Sequence, residues 1–117
     1  MTRRTERVNE LLREEISALL LRETKDPRLA HMVTIIAVET APDFKHAKVF
    51  ISVLGTEEEK AEVMKGLESA ARFLRRELSD RLRLRYTPEL SFRRDDSIER
   101  GSRILQILKE IEPEPQD

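Results

Sequence analysis

The chain has no cysteine among its 117 residues, which excludes a disulfide scaffold, a thiolate zinc site and a thiol nucleophile, and fits a reducing cytoplasm. It also lacks any stretch approaching the roughly 18 apolar residues that cross a bilayer, and no apolar segment follows the arginines of Met1-Thr2-Arg3-Arg4-Thr5-Glu6-Arg7. A soluble cytoplasmic protein with no membrane association is therefore expected. Aromatics are scarce: Phe44, Phe50, Phe73, Tyr86 and Phe92 are the whole set. Most are expected in the core, which argues against base stacking as the dominant mode of any nucleic-acid binding. His31 and His46 are the only histidines, with Asp43 the nearest acid, and no second acid–base group or cluster of metal ligands accompanies them. No residues support catalysis, a metal, a cofactor or a small-molecule substrate. There is no internal repeat and no low-complexity tract.

Charge is what the chain has in abundance, and its placement is uneven. Glu57, Glu58, Glu59 and Glu62 crowd the start of one helical stretch, while Arg72, Arg75, Arg76, Arg81, Arg83 and Arg85 crowd its end. Complementing the helix macrodipole accounts for the first turn. It does not account for eight arginines between Arg72 and Arg94 against three acids, a local net of +5 in a chain of net charge −1. Such an excess points to a face that binds a polyanion, of which nucleic acid is the commonest. Arginine makes up 16 of the 22 basic residues. That bias suits bidentate phosphate recognition, although genome composition or thermal adaptation would give it too.

Periodicity divides one domain, residues 1–111, from an acidic tail at 112–117 expected to be flexible. Val8, Leu11, Leu12, Ile16, Leu19 and Leu20 recur at helical spacing, so residues about 5–23 read as an amphipathic helix. Asp26-Pro27-Arg28 ends it, Asp26 as a turn and cap residue, because the residue before a proline is pushed out of the α region. Met32 to Thr40 and Ala47 to Leu54 read as strands joined by the turn Pro42-Asp43-Phe44-Lys45-His46 into an antiparallel hairpin. Thr56-Glu57-Glu58-Glu59 matches a capping box, and Val63, Leu67, Ala70, Ala71, Leu74, Leu78 and Leu82 carry one apolar stripe over about 57–83. The pair Ala70-Ala71 either lets another backbone approach or serves helix propensity alone. Pro88 to Arg94 reads as a short strand, and Ile98, Ile104, Leu105, Leu108 and Ile111 as a modest helix laid over the sheet. The order is α-β-β-α-β-α, or α-β-β-α-α-β-α if the long helix bends near Ala70.

Several of these segments resemble bacterial ribosome-binding factor A. The likeness is carried by Arg81-Leu82-Arg83-Leu84-Arg85-Tyr86-Thr87-Pro88-Glu89-Leu90-Ser91-Phe92, by Asp26-Pro27-Arg28, by the hairpin Pro42 to Val49 and by Phe73-Leu74-Arg75, and it covers about residues 3 to 111 in register. The resemblance implies an α+β, KH-like fold of type II order α-β-β-α-α-β, with helices on one side of a three-stranded sheet and a short C-terminal helix. It implies a noncatalytic assembly factor that binds the small (30S) ribosomal subunit and its RNA during late maturation, with a role in 5′-end processing of that RNA and in growth at low temperature. In the family an Ala-x-Gly interhelical kink replaces the Gly-x-x-Gly loop of other KH domains. The matching triplet here is Ala70-Ala71-Arg72, and the β-carbon of Arg72 disfavours the positive φ of a sharp break.

The candidate RNA-binding residues follow. Arg72, Arg75 and Arg76 lie three and four apart on one helical face, and Arg81, Arg83 and Arg85 alternate with Leu82, Leu84 and Tyr86 along an extended run. Lys45 and Lys48 on the hairpin would extend the basic surface. The plainer alternative is solvation and pairing with Glu68, Glu77 and Asp80. A different class of function, a protein-interaction adaptor without RNA contact, would use Glu57–Glu62 and the first helix. A monomer is expected for the free protein.

Overall fold

The computed structural model describes residues 3–22, 33–84 and 86–111. Its elements run α1 (Arg3–Arg22), β1 (Val33–Thr40), β2 (His46–Val53), α2 (Glu57–Arg81), β3 (Glu89–Arg94) and α3 (Ser97–Ile111). Asp26-Pro27-Arg28, His31, Arg85 and the tail at 112–117 lie outside the described residues.

The strands form one sheet in the order β1-β2-β3, with β1 antiparallel to β2 and β3 parallel to it. A parallel pair cannot be closed by a tight turn, and α2 is the crossover that returns the chain. On β2, Ala47, Val49, Ile51 and Val53 are buried and face the helices. Their partners on β1 are Thr40, Val38, Ile35 and Val33. Those positions share a face only because the register shifts between Ile35 and Ala37, where a bulge inserts Ile36 and restores the apolar parity. Leu90 and Phe92 continue the same face on β3, opposite Ala47 and Val49.

Helix α1 fits this layer because Leu12, Ile16, Leu19 and Leu20 form one stripe, all nearly or fully buried. Asn9 fastens it, its Oδ1 accepting the Thr40 backbone N–H at 2.8 Å. Helix α2 starts at the expected capping box: Glu59 N–H donates to Thr56 Oγ1 at 3.1 Å, and Thr56 N–H donates to Glu59 Oε1 at 3.0 Å. The helix ends at Arg81 where Leu82 turns extended, its N–H still donating to the Leu78 carbonyl while its side chain enters the core.

Two expectations are corrected. The interhelical kink at Ala70-Ala71-Arg72 is not a break between two helices, since α2 runs as one element from Glu57 to Arg81. Its stripe stays in phase through half-buried Ala70 and Ala71, and Arg72, unlike glycine, has no preference for leaving the helix. The last helix is not laid over the sheet. Ile104, Leu105, Ile107 and Leu108 of α3 are all exposed, and no other described element packs closely along it. The helical face of the sheet is already taken by α1 and α2.

Candidate nucleic-acid interface

The arginines of the basic stretch separate into engaged and available groups. Arg94, at the end of β3, donates through both Nη atoms to the Glu57 carboxylate at 2.8 Å and through Nε to Asp96 at 2.9 Å. Hydrogen bonds from Arg94 are the main reason that Glu57 and Asp96 both titrate below the ordinary carboxylate range, and the same bonds raise the Arg94 pKa. With buried Lys60 3.9 Å from Glu57, this corner locks the start of α2 to the end of β3. Arg81 pairs with Glu77 at 4.0 Å.

Arg75 bridges rather than floats. Its Nε donates to the Thr87 carbonyl at 3.0 Å and its Nη1 lies 3.7 Å from Glu89, which also stands 3.5 Å from His46 Nδ1. These contacts tie α2 to the entry of β3 and hold the guanidinium in place. Arg72, Arg76 and Arg83 are exposed, and among the described residues no acid engages them. They are the cations free to meet an external phosphate.

The hairpin divides the two lysines. Lys45 lines an open cleft of about 490 Å³ with Arg75, His46, Tyr86 and Glu89, so the fold brings it to the arginine face. Lys48 is exposed and alternates with buried Ala47 and Val49, which turns it to the opposite side of the sheet beside Ser91 and Glu39. It cannot share a ligand surface with α2.

Sequence reasoning missed the far wall of this corner. Arg3, Arg4 and Arg7 on the first turns of α1 border Val8, and Arg4 shares a second hollow with Phe44, Leu84 and Tyr86. The Arg4 guanidinium lies 5.6 Å from the centre of the Phe44 ring, within cation–π range. Phe44 sits there because the turn holds it at φ 61°, between the Phe44 N–H bond to the Ala41 carbonyl at 2.9 Å and the Lys45 N–H bond to Asp43 Oδ1 at 3.0 Å. The available signal was the i, i+4 spacing of Arg3 and Arg7. The expectation that most aromatics are core is also corrected: Phe92 alone is buried, Phe44 and Phe50 are half-buried, and Phe73 and Tyr86 are exposed.

This arrangement defines a KH-like α+β domain, with α1 and α2 on one side of a mixed sheet and a basic, partly aromatic corner at one end. The chain belongs to the ribosome-binding factor A family, whose model matches residues 4–108. Ribosome-binding factor A of Dictyoglomus thermophilum is 50% identical over 111 residues, spanning 95% of this chain and 92% of its own. The crystal structure of ribosome-binding factor A from Thermus thermophilus matches with a TM-score of 0.67 at 26% identity, over 77% of this chain and 94% of that one. Coordinates of the Thermus thermophilus factor fitted into the cryo-EM map of a 30S complex match with a TM-score of 0.61 at 25% identity, over 75% of this chain and 91% of that one.

Proposed function

We propose that this chain is a noncatalytic assembly factor that binds the small ribosomal subunit in the cytoplasm and contacts its RNA during late maturation, including the stage of 5′-end processing. The single observation that carries the reading is the set of exposed, acid-free cations, Arg72, Arg76 and Arg83, beside a cleft where Lys45 and Arg75 converge. Family membership and the likeness to a factor fitted into a 30S complex support the choice of polyanion. Catalysis has no candidate, since the described residues contain no group of three or more potential metal ligands, and His46 is spent on Glu89. No described helix is long and apolar enough to cross a membrane. The free protein acts as a monomer.

Cosedimentation with purified small subunits across a salt series tests this. Binding should fall steeply as salt rises, because each neutralised phosphate releases counterions. Salt-insensitive binding, or preference for large subunits, would overturn the proposal. A second reading, a protein-interaction adaptor, draws on the exposed apolar face of α3 and not on Glu57, which Arg94 already occupies. It predicts that removing residues 97–117 abolishes subunit binding while Arg72→Glu leaves it intact.

A further inference from the structure

We infer that the cleft between the β1–β2 hairpin and the C-terminal half of α2 seats one unpaired ribonucleotide, its base stacked on Tyr86 and its phosphate held by Lys45 and Arg75. The inference rests on the RNA-binding reading above and names the form of RNA that this corner takes. The cleft encloses about 490 Å³, within the roughly 300–1,000 Å³ of sites for small ligands. Tyr86 is 59% exposed, and Phe44 and Leu84 beside it make an apolar floor. Arg4 already lies over the Phe44 ring, so Tyr86 is the platform open to a base.

The polar wall suits a phosphate. Arg75 is fixed by Thr87 and Glu89 through Nε and Nη1, which leaves Nη2 for an incoming oxygen at little ordering cost. Glu89, the one acid lining the cleft, faces Arg75 on one side and His46 on the other, so its charge is offset before an anion arrives. A base within a duplex is stacked on its neighbours and cannot lie on a tyrosine, whereas loops, bulges and strand ends can present one. The occupant is therefore single-stranded RNA.

The chain supplies its own probe, because Tyr86 is the only tyrosine and there is no tryptophan. The experiment titrates full-length protein with a short single-stranded oligoribonucleotide, and separately with its duplex. It reads tyrosine emission, corrected for absorption by the RNA, alongside anisotropy of end-labelled RNA. Single strands should quench Tyr86 strongly and duplex should not. Tyr86→Ala should weaken single-strand binding about tenfold with its melting temperature retained, while Tyr86→Phe should bind like the wild type. If single strands bind without quenching and Tyr86→Ala binds equally well, the subsite is wrong and the RNA reading stands. If neither RNA binds, both are wrong.

Discussion

Phe44 offers a test in which the usual order of two substitutions is reversed. Its φ of 61° lies in the left-handed region, which costs an L-residue roughly 1–2 kcal/mol. The turn imposes that angle, since Ala41 N–H donates to the His46 carbonyl at 2.8 Å and Asp43 holds Lys45 from the other side. Phe44→Ala removes the ring and keeps the strain. Phe44→Gly removes the ring and the strain together, but gives back about 0.4–1 kcal/mol through the greater freedom of glycine in the unfolded chain. The glycine variant should therefore be the more stable of the two by about 1 kcal/mol, opposite to the order found in helix interiors. Both lose the same contact with Arg4, so the comparison is free of it. Urea denaturation reads the difference as a midpoint shift of about 0.5 M for a slope of about 2 kcal/mol/M. An alanine variant as stable as the glycine variant would show that the turn does not hold Phe44 in this conformation.

Other outcomes follow from the same geometry. Arg72→Gly should destabilise the protein by about 1 kcal/mol because α2 is continuous there; an unchanged or raised melting temperature would instead reveal a bend. Arg72→Glu should weaken subunit cosedimentation more than Arg72→Gly does, and equal binding by both variants and the wild type would remove Arg72 from the interface. Thr40 Oγ1 is buried without a hydrogen-bond partner, so Thr40→Val should gain about 1 kcal/mol in chemical denaturation; a loss would mean that the hydroxyl is satisfied in solution. Glu57 and Asp96 have depressed pKa values in the folded state, so their contribution to stability is complete above the unfolded carboxylate range and is lost as pH falls through the lowered values. Melting temperature should drop below about pH 4, and Arg94→Gln should flatten that drop; parallel acid profiles would contradict the assignment.

Much of the fold could be read from residues near one another along the chain. The stripe of α1 and the hairpin around Asp43 each depend on spacing or turn chemistry within a few residues, as does the Thr56 capping box, and the structure bears them out. The excess of arginine after Arg72 was equally legible, as was its likeness to a ribosome-binding family. Which arginines stay free was not, because pairing is decided by residues distant in sequence: Arg94 meets Glu57 across 37 positions, and Arg75 meets Thr87 across 12. Periodicity gave α3 an apolar face but could not say whether a surface remained for it, and α1 with α2 had already covered the sheet. Lys45 and Lys48 look alike in sequence, yet strand alternation sends Lys48 to the opposite face while the turn leaves Lys45 in the cleft. The sequence by itself determined the elements and the sign of the surface, because those depend on local conformation and composition. Only tertiary structure decided the site, because a binding corner forms where α1, the hairpin and the end of α2 converge.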